Sequence, residues 1–396
     1  MKIAMIGQKG IPVTQGGGVE KHVQELALRL ANTHEILVYT RPAYTAKTLA
    51  HYHNVRLISL PTINTKHFDA ITHTFISIIH ATLKAKVDVV HIHSVGPALL
   101  AWLPRILHPK TRVVVTFHSM DRQHQKWGWL ARVMLHLGEY MAMKFAHEVI
   151  TVSKALQSYT YESYRKITTY IPNGISETTH QPAKLITSQF GLHPEQYILS
   201  VSRLVRHKGI HHLINAYEQL STDKKLVIVG GSAHTDNYVK ELRVLAKQNY
   251  NIIFTGNQMG AILEELFSNA YLYVLPSESE GLSLALLEAA AYGKAVLAAD
   301  IPANEDILKY CGVSFKNANI ADLKQQLTYL LANPNKVKQL GAQAQQHVLE
   351  NYHWKDIVAQ TNIIYRKVYQ TIKQPALELF QPTGLKPGVS IQKTVS

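Results

Sequence analysis

The stretch 271-YLYVLPSESEGLSLALLEAAAYG-293 contains the strand and helix on which the fold prediction rests. Its first residues are aromatic and aliphatic, which is typical of a short buried strand. From Ser283 onward, leucines and alanines without a helix breaker predict a helix. Leu287, Glu288 and Ala291 then share a helix face that should be buried. Because a buried glutamate needs a partner, Glu288 is a candidate binding residue.

The same alternation of strand and helix runs along both halves of the chain. Near-continuous valine and isoleucine runs, such as VDVVHIHS, RVVVTFHS and KLVIVGGS, are typical of parallel strands that are covered on both faces. Proline, asparagine and glycine interrupt the pattern in YIPNGIS (170–176). The sequence therefore predicts an α/β fold in which two doubly wound, Rossmann-like domains face each other across a cleft.

A chain of 396 residues is too long for one ordinary core, so we divide it into segments. The first domain is predicted over residues 1–175 and the second over 176–353. Residues 354–374 predict a long amphipathic helix. Residues 375–396 are punctuated by proline and glycine and predict a loosely held tail.

The composition indicates a globular protein of a reducing compartment. Hydrophobic residues make up 46% of the chain and charged residues 17%, which excludes extensive disorder. The single cysteine, Cys311, excludes a disulfide framework. The start MKIAMIGQKG has too short an apolar run for a signal peptide, and no apolar run approaches the ~20 residues that span a bilayer. We therefore expect a cytoplasmic protein.

The net charge of +14 is concentrated in the first half of the chain. Residues 1–176 hold 20 basic and 9 acidic residues, whereas residues 177–396 hold 21 and 18. A basic first half suits a polyanionic partner such as a phosphorylated substrate or an anionic lipid, although it could also serve solubility. Nucleic acid is disfavoured, because the sequence has no helix-turn-helix, zinc-finger or RNA-binding signature.

Two groups of residues at strand ends are suited to phosphate. Gly16, Gly17 and Gly18 run directly into a helix, so backbone amides and the helix N-terminus could approach an anion. Arg203 and Lys208 follow the first strand of the second domain and could clamp a diphosphate. A flexible connector and a solvated basic loop are the alternatives. The absence of G-x-G-x-x-G from the first loop argues against a dehydrogenase.

Histidines also mark the strand ends. His118 follows a strand and could exchange a proton with a sugar hydroxyl near neutral pH. His91 and His93 share a face of one strand, where core packing is a better interpretation than metal binding. His211 and His212 are predicted on a helix surface. The sequence has no Asp-x-Asp and no Cys/His cluster at metal-ligand spacing, so we expect no metal.

The two glutamates Glu280 and Glu288 flank the start of the predicted helix. Each carboxylate could accept two hydrogen bonds from a vicinal diol, such as ribose or a hexose presents. The backbone amides of Gly281, Leu282 and Ser283 lie between them and could hold a phosphate. The alternative is structural: Glu280 caps the helix and Glu288 pairs with a core lysine or with backbone.

In combination, these groups resemble the nucleotide-sugar-dependent glycosyltransferases of family 4, which have the GT-B fold. The resemblance rests on SRLVRHKG (202–209), EGLSLALLEAAAYGKAVLA (280–298), the hinge IPNGI (171–175) and the glycine-rich first loop. These motifs occur in the expected order over roughly residues 1–370. The resemblance implies a retaining transferase that binds its donor through the second domain and its acceptor mainly through the first. It implies neither a metal nor a cofactor.

The resemblance also assigns roles to single residues. It implies that Glu288 binds the ribose hydroxyls and that Glu280 binds hydroxyls of the donor sugar. Arg203 and Lys208 would neutralise the departing diphosphate. His118 would lie close to the transferred sugar.

Further implications concern the loops. Gly16–Gly18 would close over donor phosphate and acceptor, and residues 354–374 would cross back onto the first domain. Two departures from the family pattern affect these expectations. SMD follows the histidine where relatives often have Asp directly, which leaves the role of Asp121 open. The extra glycine in GGG and the SES before Gly281 could alter sugar selectivity.

The predicted function is hexosyl transfer to a glycan or lipid-linked acceptor in bacterial lipopolysaccharide or exopolysaccharide biosynthesis. Two helical, amphipathic stretches, 65–86 and 126–147, are flanked by lysine and histidine and could rest on an anionic leaflet. Trp127 and Trp129 lie at the start of the second. Ordinary packing helices are the alternative.

Other functions remain open for this fold. A nucleotide-sugar epimerase would turn over donor without an acceptor, and a phosphorylase is a weaker variant of that hypothesis. A catalytically silent nucleotide-sugar sensor would not need His118 and the phosphate clamp together. The sequence does not reveal the donor base, the donor sugar or the acceptor.

Overall fold

The first half of the chain forms one large sheet. The structure is a computed structural model that describes residues 1–13, 17–63, 65, 68–120, 122, 128–233, 235–246 and 249–371. The strands are β1 (Lys2–Ile6), β2 (Glu35–Thr40), β3 (His51–Tyr52), β4 (Val55–Ser59), β5 (Val89–His93), β6 (Arg112–Phe117), β7 (Glu148–Thr151) and β8 (Thr169–Tyr170). Their order is β3-β4-β2-β1-β5-β6-β7-β8, and only β3 and β4 pair antiparallel.

Helices cover this sheet on both faces. They are α1 (Gly18–Leu30), α2 (Asp69–Ile79), α3 (Val95–Ala98), α4 (Leu103–Leu107), α5 (Trp129–Phe145) and α6 (Lys154–Tyr164), and a π-helical turn, His80–Lys84, continues α2. All residues of β5 and all but the first of β6 are buried. Burial on both faces explains why these strands are near-continuous valine and isoleucine runs, as predicted.

The second half forms a separate parallel sheet. Its strands are β9 (Tyr197–Val201), β10 (Lys225–Val229), β11 (Ile252–Gly256), β12 (Leu272–Leu275), β13 (Ala295–Ala299) and β14 (Gly312–Phe315), in the order β11-β10-β9-β12-β13-β14. The helices are α7 (Leu185–Phe190), α8 (Ile210–Tyr217), α9 (Asp236–Leu245), α10 (Gly260–Asn269), α11 (Leu284–Ala291), α12 (Glu305–Cys311), α13 (Ile320–Ala332) and α14 (Pro334–Asn351). The predicted class, α/β with two doubly wound domains, is confirmed.

Three strands were not predicted from the sequence. β3 and β8 have two residues each and β14 has four, so none contains a hydrophobic run long enough to show a period. They lie at the outer ends of their sheets, away from the strands that carry the candidate site residues.

The strand orders determine where a ligand can bind. In the first sheet the chain order reverses between β1 and β5, and in the second between β9 and β12. Open α/β sheets bind ligands beyond the carboxyl ends of the strands at such switch points. The glycine loop follows β1, Arg203 and Lys208 follow β9, and Glu280 follows β12. The fold therefore directs the predicted groups toward two facing crevices.

The chain passes between the two halves at two adjacent places. The Ile175 amide donates to the Tyr352 carbonyl at 2.6 Å, and the Trp354 amide donates to the Ile175 carbonyl at 3.0 Å. Beyond this point, α15 (Trp354–Gln370) packs against α1 and β6 of the first sheet. A Cβ on Gly174 would lie 2.4 Å from the Trp354 ring, so only glycine allows this close packing.

Two remaining expectations concern the end of the chain and membrane spans. The tail predicted over 375–396 lies outside the described residues. Within the part of the chain that the structure describes, no helix is both long and apolar enough to cross a membrane.

Candidate active site

A cleft of about 470 Å³ separates the carboxyl ends of the two sheets. Its walls come from both halves of the chain and contain every predicted site residue that the structure describes. These are Gly17, Gly18, His118, Arg203, Lys208, Glu280, Gly281, Leu282, Ser283 and Glu288. Gly16, which completes the predicted glycine loop, lies outside the described residues, as do Asp121 and Trp127. Residues far apart in the chain are thus brought to one site, although their chemical roles stay predictions.

Helix α11 differs from the simple amphipathic helix that its sequence predicts. Its residues are buried on nearly all sides, and only Ala285 and Glu288 remain partly exposed, both on the cleft wall. Glu288 therefore does not lie within a buried stripe; it marks the one side of the helix that faces the cleft. The Ser283 hydroxyl accepts a hydrogen bond from the Leu286 amide at 3.3 Å. Ser283, and not Glu280, is thus the N-cap.

Glu288 forms an ion pair with Lys21 of α1, on the opposite wall of the cleft. The Glu288 side chain is 13% exposed and that of Lys21 is 41% exposed. Burial lowers the pKa of Lys21, but the neighbouring Glu288 carboxylate more than offsets this and raises the pKa overall. The pair spans the cleft, so the partner that the sequence demanded for Glu288 comes from the other domain. Nothing local in the sequence identified Lys21, although it follows the glycine loop by three residues.

Glu280 is likewise paired, with the ammonium group of Lys208. Both side chains are largely buried, at 9% and 14% exposure. Arg203 lies on the same wall, and its charge contributes to the lowered pKa of Lys9, for which burial is the main cause. Arg206 of the same loop instead pairs with the exposed Glu241, outside the cleft. Lys208 and Arg203 are therefore the cations of this loop that can meet an anion in the cleft.

Histidines from three elements meet behind the cleft. His118 Nε2 lies 3.2 Å from His93 Nδ1, and His22 of α1 stands edge-on to the His118 ring at 4.9 Å between centroids. His91 packs on His93 and shares hydrogen bonds with Thr116 and the Tyr365 hydroxyl, so it has a structural role. Sequence reasoning paired His91 with His93 correctly but missed His22, which only the tertiary structure brings near.

Burial keeps these histidines neutral. It lowers the pKa of His22 to about 4 and that of His91 to about 3, and it places the pKa values of His93 and His118 well below the usual range. One ring nitrogen from each of His22, His93 and His118 lies within 4.8 Å of the others. The three could hold a metal ion, since neutral imidazole is a common metal ligand.

A second group of histidines corrects a prediction. His211 and His212, expected on a helix surface, are half-buried in α8. His211 Nδ1 lies 2.8 Å from the Tyr238 hydroxyl, and His212 Nε2 lies 3.2 Å from a Glu278 oxygen. Their partners come from α9 and from the loop after β12, neither of which is adjacent in the sequence. These contacts and their position outside the cleft lining indicate a structural role.

The two walls touch at Gly281. A Cβ on this residue would lie 1.7 Å from the His118 carbonyl oxygen and 2.7 Å from the carbonyl carbon, so only glycine allows the contact. Asn173 of the hinge adds a second contact, donating from Nδ2 to the Leu282 carbonyl at 2.8 Å. The structure is therefore that of a closed cleft.

Two facing Rossmann-like domains whose cleft is lined by carboxylates, cations and a glycine loop are the architecture of GT-B glycosyltransferases. The family model described as "Glycosyltransferase Family 4" matches residues 16–178, and that described as "Glycosyl transferases group 1" matches residues 186–347. The chain belongs to the family 4-type GT-B glycosyltransferases, and it is a transferase of sugars.

Individual relatives agree with this assignment. Alpha-maltose-1-phosphate synthase of Mycobacterium tuberculosis is 27% identical, over 93% of this chain and 100% of the relative. Among solved structures, sucrose-phosphate synthase from Thermosynechococcus elongatus gives a TM-score of 0.80 at 20% identity, covering 93% and 99% of the two chains. Anabaena Alr3699/HepE in complex with UDP-glucose gives 0.78 at 19% identity, covering 93% and 100%. These structures are similar to this chain in fold.

Proposed function

We propose that the protein transfers a hexose, with retention of anomeric configuration, from a nucleoside-diphosphate sugar to a hydroxyl of a glycan or lipid-linked acceptor. The observation that carries this proposal is the cleft itself, where paired carboxylates and cations from both domains surround one cavity. Glu280 and Glu288 suit sugar and ribose hydroxyls, and Arg203 and Lys208 suit a diphosphate between them. The UDP-glucose complex of the structural neighbour supports a donor of this chemical class.

The pairing of the carboxylates favours direct attack of the acceptor hydroxyl on the anomeric carbon, from the face that the leaving diphosphate occupies. Among the described residues of the cleft wall, Glu25, Glu280 and Glu288 are the carboxylates, and each is paired with a cation. Because each of the three already binds a cation, we propose that none of them attacks the anomeric carbon and that no covalent sugar intermediate forms.

In the proposed step the bond between the anomeric carbon and the diphosphate oxygen breaks as the acceptor hydroxyl bonds to the same face. The acceptor proton passes to the departing phosphate oxygen. Arg203, Lys208 and the N-terminus of α11 stabilise the negative charge that develops there. Because these groups supply positive charge, we propose that no metal is required.

The donor proposal predicts a specific nucleotide response. In a thermal-shift panel of nucleoside diphosphates and their sugars, one base series should raise the Tm of the wild-type protein. Glu288→Ala should lose that rise, because the carboxylate that binds the ribose is gone. The panel should be run with and without EDTA, and the shift should survive chelation.

One control variant and two contrary outcomes make this panel decisive. Glu241→Ala removes an exposed carboxylate outside the cleft and should keep the full shift. Should no nucleotide shift the Tm of the wild-type protein, the donor site is wrong. Formation of an isomeric sugar nucleotide without acceptor would identify an epimerase instead.

The acceptor side has features of a membrane-facing surface. On α5, the large apolar side chains of Trp129, Leu130, Val133 and Met134 are exposed, with Trp129 at 77%. Ile106 of α4, which lines a groove with Met141 and Phe145 near the other end of α5, is also exposed. Exposed basic residues occur on α5 (Arg132 and Lys144), on α4 (Arg105) and after α2 (Lys84 and Lys86). An apolar patch with basic neighbours suits the surface of an anionic bilayer. We propose peripheral attachment there, at the cytoplasmic face, during synthesis of cell-surface polysaccharide.

This attachment predicts binding to vesicles of phosphatidylglycerol and phosphatidylcholine at low salt, measured by sedimentation. Leu130→Asp combined with Met134→Asp should reduce the bound fraction at least about 10-fold, because two exposed apolar side chains that would insert into the bilayer are lost. Val244→Asp changes an exposed apolar residue of α9 in the other domain and should leave binding unchanged. Failure of the wild-type protein to sediment with anionic vesicles at low salt would refute the attachment.

A further inference from the structure

Asn173 uses both ends of its side chain to join three parts of the molecule. It lies in the hinge segment IPNGI and is buried, at 5% exposure. Its amide nitrogen Nδ2 donates to the Leu282 carbonyl in the loop before α11, at 2.8 Å. Its oxygen Oδ1 lies 3.0 Å from His22 Nδ1 in α1. One hinge residue therefore contacts both walls of the cleft.

These contacts determine the tautomer of His22. A backbone carbonyl only accepts hydrogen bonds, so Nδ2 of Asn173 must face Leu282 and Oδ1 must face His22. Oδ1 also only accepts, so His22 carries its proton on Nδ1. Since burial lowers the pKa of His22 to about 4, the ring is neutral near pH 7 and its Nε2 is unprotonated.

Two further histidine rings lie next to His22. The His22 ring stands edge-on to His118 at 4.9 Å and lies 5.8 Å from His93. Within the described part of the chain, His93 Nε2 is buried and has no hydrogen-bond partner, whereas its Nδ1 faces His118 Nε2. A buried unpaired acceptor costs less than a buried unpaired donor, because carbonyl-type and ring acceptors are more often left unsatisfied than N–H groups. His93 therefore donates from Nδ1, and His118 accepts at Nε2.

We propose that Asn173 is a positioning residue, which sets the tautomer of His22 beside His118 only when the loop before α11, with Gly281 and Leu282, has closed against the first domain. This inference rests on the proposed transferase function. Leu282 follows Gly281, whose backbone lies against the His118 carbonyl, so one movement makes both contacts. If the walls separate, Asn173 Nδ2 loses its acceptor, the amide is free to flip, and the His22 tautomer is no longer determined. Closure over the donor would thus fix the His22 tautomer beside His118, which lines the cleft.

The first test compares three variants by steady-state kinetics. Asn173→Asp keeps an acceptor for His22 but has no N–H for Leu282, and Asn173→Ala loses both contacts. We expect both Asn173 variants to lower kcat up to about 100-fold while the KM for the donor changes less than threefold, because misplaced groups act on the chemical step. Asn362→Asp makes the same change to an Asn–His pair remote from the cleft, with His34 at 2.8 Å, and should match the wild type.

The pH profile separates positioning from simple structural support. The groups around His22 are His91 and His93 of β5, His118 directly after β6, the Trp354 ring of α15 and Asn173. In Asn173→Asp a carboxylate replaces the amide and raises the pKa of His22, so imidazolium forms as the pH falls. As the pH falls, kcat/KM of Asn173→Asp should therefore begin to decline while the pH is still above 5. The wild type and Asn173→Ala should show no such decline. An equal loss at every pH in both variants would overturn the inference.

A direct readout does not depend on activity. Long-range ¹H–¹⁵N spectra of ring-labelled histidine report the tautomer, and the His22 signal is assigned by its loss in His22→Gln. With nucleoside diphosphate bound, His22 should carry its proton on Nδ1 in the wild type and lose this preference in Asn173→Ala. A proton on Nε2 in the wild type would refute the inference. If the wild type turns over no sugar nucleotide, the proposed function fails, while the tautomer measurement still decides the role of Asn173.

Discussion

Arg203→Ala should lower kcat/KM about 100- to 1,000-fold, with most of the loss in kcat. Arg203 lines the cleft together with Lys208, and in the proposed reaction it would stabilise charge on the departing diphosphate. Removing one donor from a preorganised anion-stabilising site costs about 3–4 kcal/mol of transition-state stabilisation. The measurement is a steady-state assay with the donor identified by the thermal-shift panel.

Arg206→Ala is the matched control, because it lies three residues away in the same loop. Arg206 is half-exposed and pairs with Glu241 outside the cleft. We expect kcat/KM within twofold of the wild type and unfolding free energy within about 0.5 kcal/mol, as for other surface changes. If both variants lose activity equally, the loop acts through its fold and not through the Arg203 guanidinium group.

Gly281→Ala should be the other severely impaired variant, with kcat/KM reduced at least about 100-fold. The new Cβ would lie 1.7 Å from the His118 carbonyl oxygen, and neither atom can rotate aside, because one is bonded directly to Cα and the other belongs to the backbone. The walls must then separate by an ångström or more, and a displacement on the order of 1 Å can cost about 100-fold. Small-angle scattering with donor bound should show a larger radius of gyration than that of the wild type.

Gly128→Ala is the control for this substitution. Among the residues that the structure describes, no atom lies within 4 Å of a Cβ on Gly128, and its φ of −68° suits any residue. It should therefore keep wild-type scattering and activity. Gly281→Ala should also keep a Tm close to that of the wild type, since the clash lies between domains and not within a core. Activity within threefold of the wild type would show that the cleft does not need this contact.

Much of the fold was predictable because its signals are local. Strands buried on both faces must be valine- and isoleucine-rich along their length, so β5, β6 and β10 stand out in the sequence. Residues at the ends of parallel strands share one edge of a sheet, which is why His118, Arg203 and Glu280 could be assigned to a cleft. Short peripheral strands such as β3 carry no such signal.

The partners of the site residues were not predictable, for a different reason. Lys21 and Glu288 are 267 residues apart, and His22 and Asn173 are 151 apart. No periodicity links positions so distant, and the two sheets could face each other in many ways. The sequence indicated that Glu288 needs a partner, because its helix face was predicted to be buried. The sequence did not identify that partner.

The sequence alone determined the two doubly wound domains, the existence of helix α11 and the residue types available at each strand end. These follow from the spacing of apolar residues and from backbone rules that act over a few residues. The tertiary structure decided which charges meet, which histidine faces His118 and which side of α11 lines the cleft. Those features depend on the closed arrangement of two domains, in which only a glycine at position 281 leaves room for the His118 backbone of the opposite wall.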